Sequence, residues 1–281
     1  MPNELQVAIV QMNSGDDKTA NVGAAVAGIE RAAAGGARLV SLPEVWTYLG
    51  PDEGSAAAAE TIPGPLTDQL GALARDLGIW LHAGSVYEHI EGEDRLYNTT
   101  VVFDPQGEIA ARYRKIHMFD VDLEEATSYR ESATIAPGDD IVTVDIDGVT
   151  VGLAICYDLR FPELFRILAL RGADIIMLPA AFTLATGRDH WEPLIRARAI
   201  ENQVFMVAAA QVGKHPPAHW CYGRSMIVDP WGVVVAQASD APTVISATLD
   251  LDQLARVRRQ VPSVANRMPE RYRWPEPSLR S

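Results

Sequence analysis

Apolar positions along the chain fall into short β-branched runs separated by segments of helical period. Residues 5–12 (LQVAIVQM) predict a strand that starts almost at once, and 38–42 (RLVSL) a second one. Between them Asp16 or Asp17 is placed to cap a helix that runs to about Ala34 and is stopped by Gly35-Gly36. This is a β-α-β unit, and the simplest right-handed connection makes its strands parallel. A second helix is predicted over 63–77, followed by strands over 79–87, 97–103 and 108–114. The turns GED (92–94) and DPQG (104–107) between these strands predict an antiparallel meander.

Residues 116–140 have little periodicity and mix aromatics with acids. A loop of this length in a compact chain is functional or disordered, and Phe119 and Tyr129 favour an ordered, functional one. Strands over 141–145 and 149–155 meet at Asp147-Gly148, and after Cys156 the residues Phe161, Leu164, Phe165, Leu168 and Ala169 recur at helical spacing. A strand over 174–178, a helix over 190–202, strands over 204–211, 225–229, 233–238 and 244–249, and a helix over 251–260 complete the pattern. Strand–helix units alternate with meanders in both halves, with no polar linker between them. The expectation is an α/β fold in one domain over 1–260, a four-layer α-β-β-α sandwich of two mixed sheets. Residues 261–281, rich in Pro and Arg, read as an arm lying on a surface or on a second subunit.

Composition narrows the function classes. A formal net charge of −13 over 281 residues disfavours nucleic acid or an anionic membrane as partner. No apolar run approaches the length of a membrane span. Two cysteines make no disulfide framework, and the first residues lack the features of a secretory leader, so a cytoplasmic protein is expected.

Candidate chemistry lies at strand ends. Cys156 sits between a predicted strand and a helix with Pro162 in its first turn. There the helix dipole is expected to lower the thiol pKa, and free N–H groups can bind an oxyanion. Taken alone, a Cys in an apolar run reads as buried and inert. Glu44 after LVSLP and Lys115 after IAARYR occupy equivalent places, where catalytic groups of α/β sheets gather. Singly these two read as surface charges; together with Cys156 they point to a site.

The segments SLPE (41–44), YRKIHMFD (113–120), CYDLRFPEL (156–164), TGRDHWEPLIRARAIENQ (186–203) and GRSMIVDPWG (223–232) resemble the nitrilase (carbon–nitrogen hydrolase) superfamily over nearly the whole chain. RYRKIHMFD and AAAQVGKH are closest to its deaminated-glutathione amidase and ω-amidase branch. The resemblance implies the same four-layer sandwich, paired into a homodimer or a higher even oligomer. It implies Cys156 as nucleophile, Glu44 as general base and Lys115 as the cation on the oxyanion, with the Tyr157 N–H beside it. Glu131 matches the family's second glutamate, which orients Lys115 and substrate. Tyr157-Asp158 stands where family nitrilases carry Trp-Glu, which favours an amide over a nitrile. Tyr48 and Phe182 follow strand ends and read either as substrate contacts or as core; Arg160 and Glu163 read as a structural i, i+3 pair, and Cys221 as packing. His117, His190, His215 and His219 make no metal-ligand spacing, and the family chemistry needs neither metal nor cofactor. The implied activity is hydrolysis of a small carboxylate-bearing linear amide, of deaminated-glutathione or ω-amide type, to acid and ammonia through a thioester. Two alternatives remain: an N-carbamoyl hydrolase or nitrilase of the same superfamily, and a non-catalytic binding protein on this fold, against which the intact triad speaks.

Overall fold

The computed structural model describes residues 3–123 and 127–273. The first sheet is ordered Thr243–Asp250, Glu4–Gln11, Leu39–Ser41, Trp80–His82 and Leu96–Phe103. Its middle strands are parallel, and Thr243–Asp250 and Leu96–Phe103 close it antiparallel. Val86–His89 and Ile109–Arg114 add to Leu96–Phe103. The second sheet is ordered Val234–Gln237, Met226–Val228, Phe205–Ala210, Ile175–Ala180, Val149–Leu153 and Thr143–Ile146.

The alternation along Glu4–Gln11 explains the layering. Successive side chains of a strand point to opposite faces. Leu5, Val7 and Ile9 join Val151, Leu153, Met177 and Phe205 in the core between the sheets. Ala8 and Val10 instead join Ala25, Ile29, Leu66, Leu70 and Ala74, from the helices Lys18–Ala34 and Pro65–Leu77. The far face of the second sheet is covered by the helices Pro162–Leu170 and Leu184–Asn202 through Leu164, Phe165, Leu168, Trp191 and Ile195. The expected four-layer α-β-β-α sandwich of two mixed sheets is the observed architecture.

Four local differences matter for the site. The strand expected over 79–87 is broken into Trp80–His82 and Val86–His89. Gly84, at φ +59°, wraps there under Pro43, where a Cβ would lie 2.1 Å from the Pro43 carbonyl oxygen. The loop over 116–140 contains the paired strands Asp120–Leu123 and Thr127–Arg130 and a 3₁₀ turn at Glu131–Ala133. The helix expected from His190 begins at Leu184, capped by Thr183. The hairpin Val212–His215 with His219–Tyr222 lies where no strand was expected, because its alternation is interrupted by Pro216-Pro217. Of the C-terminal arm, residues 274–281 lie outside the described residues; at its start Gln203 Nε2 donates to the Val261 carbonyl at 2.5 Å.

Candidate active site

Glu44 follows the strand Leu39–Ser41, Lys115 follows Ile109–Arg114 directly, and Cys156 opens a 3₁₀ segment, Cys156–Arg160, just beyond Val149–Leu153. The two sheets bring these strand ends together at one cavity of about 280 Å³, lined by Glu44, Lys115, Glu131 and Cys156. Lys115 Nζ donates to Glu44 Oε1 at 2.9 Å and to both Glu131 oxygens at 2.8 and 2.9 Å. Glu131 is anchored in turn by the Phe119 N–H at 2.6 Å. Glu44 accepts from Asn98 Nδ2 on Oε1 at 2.8 Å and from the Ala181 N–H on Oε2 at 2.7 Å. Its own carbonyl accepts from Gln211 Nε2.

Glu44, Lys115 and Cys156 are all buried. A charge out of water is stable only when paired and fully hydrogen-bonded. Burial works against the Lys115 ammonium, but Glu131 and Glu44 outweigh it and hold it protonated, well above the usual lysine range. The thiol behaves otherwise than the sequence suggests. Burial first, and then the Glu44 carboxylate, push Cys156 well above its ordinary value, although Lys115 pulls the other way. The helix dipole invoked for a lowered pKa is outweighed because the thiol lies beside a carboxylate in a closed site. At rest the group is a thiol, with the proton acceptor already against it.

Two of the non-glycine residues at positive φ stand at the site. Cys156 has φ +45° and Val45, next to Glu44, φ +42°. A β-branched residue at positive φ is unusual and persists only where its surroundings hold it. Val45 is held by its N–H to Ser85 Oγ at 3.1 Å. The Cys156 turn is held by Asp158, which is fully buried. Asp158 accepts from the Ile155 N–H at 2.8 Å, Tyr113 Oη at 2.7 Å, and the His117 backbone N–H and Nδ1 at 3.2 and 2.7 Å. Tyr113 and Lys115 share one chain segment, so Asp158 ties the cysteine turn to the lysine.

Of the expected substrate contacts, Tyr157 and Phe182 line the cavity. Tyr48 does not. Its hydroxyl donates to the Pro51 carbonyl at 2.8 Å and its ring packs under Gly50 and Gly54. Arg160 is not paired with Glu163; its guanidinium lies over the rings of Tyr157 and Phe182, 5.8 and 5.2 Å from their centroids, and reaches His190. Cys221, read as packing, is buried at the cavity wall beside His219 and Trp220. Among the described residues no group of three or more His, Cys, Asp or Glu side chains is arranged to hold a metal ion.

The carbon–nitrogen hydrolase family matches residues 6–259. The chain belongs to that family. It is 39% identical to the human omega-amidase NIT2 over 267 residues, covering 95% of this chain and 96% of that one. It is 40% identical to the deaminated glutathione amidase of Bos taurus over 273 residues, covering 95% of this chain and 83% of that one. Saccharomyces cerevisiae Nit3, a member of branch 10 of the nitrilase superfamily, superposes with a TM-score of 0.86 at 32% identity, covering 97% of this chain and 98% of that one. The protein is thus an enzyme of carbon–nitrogen bond hydrolysis on the nitrilase fold.

Proposed function

We propose that this carbon–nitrogen hydrolase is an amidase that converts a small linear amide bearing a carboxylate, of ω-amide or deaminated-glutathione type, to the acid and ammonia. The observation that carries this reading is the convergence of Cys156, Glu44 and the Glu131-held Lys115 on one cavity. Cys156 Sγ attacks the amide carbon while its proton passes to Glu44. The carbonyl π pair moves onto oxygen, which Lys115 and the Tyr157 N–H receive. Each such donor is worth roughly 3–4 kcal/mol in other acyl-transfer enzymes. Glu44 then protonates the nitrogen, the C–N bond breaks and ammonia leaves. Water attacks the thioester with Glu44 as base, the acid departs, and the thiol is restored.

Two further features support the substrate class. Arg160 does not itself line the cavity but is a cation over two aromatic rings of its wall, and we read it as the partner of a carboxylate at the far end of the acyl chain. The names borne by the mammalian relatives, omega-amidase and deaminated glutathione amidase, are of the same kind. Tyr157-Asp158 after the nucleophile favours amide over nitrile. The second reading within the family is an N-carbamoyl hydrolase or nitrilase, which would use the same thioester.

Homodimers and a cytoplasmic site complete the proposal. Ile167, Leu170 and Ile200 on the outer helices, with Trp231 and Val233 on the turn beside Ile200, are exposed apolar side chains suited to a contact between copies. Two unpaired thiols suit a reducing compartment.

The test is ammonia release from a panel of carboxylate-bearing amides, neutral amides, nitriles and N-carbamoyl amino acids, comparing wild type with Cys156→Ala and Arg160→Met. The expected result is turnover of the carboxylate-bearing amides, none with Cys156→Ala, and KM about tenfold higher in Arg160→Met for these substrates alone. Consumption of only nitriles or carbamoyl compounds would overturn the assignment.

A further inference from the structure

Asn98 touches both charged partners of the site. It lies in the strand Leu96–Phe103, where its carbonyl accepts the Lys115 backbone N–H at 2.9 Å. Its side-chain amide donates to Glu44 Oε1 at 2.8 Å, the same oxygen that accepts from Lys115 Nζ at 2.9 Å. A carboxylate oxygen offers two lone-pair sites, so both sites of Oε1 are filled. Oε2 accepts one bond, from the Ala181 N–H at 2.7 Å. Cys156 lines the same cavity, with the Glu44 carboxylate beside its thiol. The site of Glu44 left open to take a proton from the thiol is therefore on Oε2.

A second observation separates this donor role from packing. Asn98 is 1% exposed, and its Oδ1 has no hydrogen-bond partner among the described residues. A buried, unpaired amide oxygen is destabilising, and exchanging Oδ1 and Nδ2 would set it against the carboxylate instead. Farther along the strand Val101, Val102 and Phe103 are buried and apolar. What Asn98 supplies is one N–H aimed at Glu44.

We propose that Asn98 is a positioning residue of the reaction: by filling Oε1 of Glu44 it makes Oε2 the oxygen that takes the Cys156 proton. The thiol proton moves to Oε2 as the sulfur–carbon bond forms, and from Oε2 it is delivered to the departing nitrogen. This rests on the acylation chemistry proposed above. The titratable groups facing Glu44 are Lys115 and Cys156 in direct contact, Glu131 across Lys115, and Tyr87 and Cys221 farther along the cavity.

The experiment uses Asn98→Ala and the isosteric Asn98→Asp, with two readouts. In amide turnover, kcat should fall about ten- to a hundredfold in Asn98→Ala with KM little changed. The acid side of the kcat/KM profile should move to higher pH, and farther in Asn98→Asp, because a carboxylate with fewer donors or an acidic neighbour holds its proton longer. The second readout needs no substrate: the pH dependence of Cys156 alkylation by iodoacetamide, followed by the mass of its peptide, should shift the same way. Wild-type turnover and alkylation profiles in both variants would overturn the proposal. So would an activity loss that tracks loss of folded protein with an unmoved profile. If wild type hydrolyses no amide while the alkylation profile responds to both variants, the substrate assignment fails and the role of Asn98 stands.

Discussion

The ammonium of Lys115 and the imidazole of His82 are both buried in the first sheet, yet one keeps its charge and the other loses it. Lys115 meets two carboxylates, Glu44 and Glu131, at 2.8–2.9 Å and faces a cavity. His82 meets two hydroxyls, Ser41 Oγ at 2.9 Å and Thr100 Oγ1 at 3.0 Å, and does not line that cavity. Burial pushes the His82 pKa down to about 3, whereas the same penalty at Lys115 is overcome by its two anions. Burial alone does not decide what a titratable group does. The charge of its partners does, and only the charged cluster is open to a ligand.

The sharpest way to break this comparison is to remove the cation. Lys115→Met should lower the folding free energy by about 3–5 kcal/mol, because Glu44 and Glu131 are left facing each other with no counter-charge. Hydrolysis should fall to the level of Cys156→Ala. Urea unfolding read alongside ammonia release checks both. A variant of wild-type stability would mean that the carboxylates relax into water, and that the site is less closed than its geometry indicates.

Asp158 gives a smaller effect of the same kind. Asp158→Ala orphans the Ile155 N–H and the Tyr113 hydroxyl, and should cost about 2 kcal/mol. It should also lower kcat beyond any loss of folded protein, since the Cys156 turn, at positive φ, loses its tie to the lysine strand. A variant destabilised as expected but with unchanged kcat would show that strain at Cys156 is held by other contacts.

These two residues also mark how far the sequence can be read. Glu44, Lys115 and Cys156 are legible because each stands at the end of a predicted strand, and strand ends are where an α/β sheet presents its chemistry. Glu131 is reached only through resemblance, since it lies in a segment without period. Asn98 is one of three adjacent polar letters in LYNTTVVF, and its partner is 54 positions away. The Ala181 N–H carries no side-chain signature at all. Two physical readings also shifted in the folded chain. A dipole argument for a lowered thiol pKa fails where the thiol is buried and a carboxylate lies beside it. An i, i+3 argument for Arg160 and Glu163 fails where two aromatic faces offer the guanidinium a better place. Local sequence rules are overridden where strands distant in sequence converge.

His82 provides the mildest test, by pH. Its folded pKa of about 3 lies below the ordinary value of 6.5, so the unfolded chain binds a proton that the folded one refuses between those limits. Stability from this source is complete above pH 6.5 and is lost progressively as pH falls toward 3. At pH 5.5 the loss should be about 1.4 kcal/mol relative to pH 7.5, one unit of linkage on a fully buried group. His215, also shifted down by burial, adds in the same direction. Lys115 contributes no slope in this range, because its ammonium is protonated in both states. Urea-unfolding free energies at pH 7.5, 6.5 and 5.5 should therefore fall more steeply in wild type than in His82→Gln, which keeps a polar group between Ser41 and Thr100 without a titrating ring. Parallel slopes would mean that His82 accepts its proton within the fold, and that two hydroxyls suffice to hold a buried imidazolium.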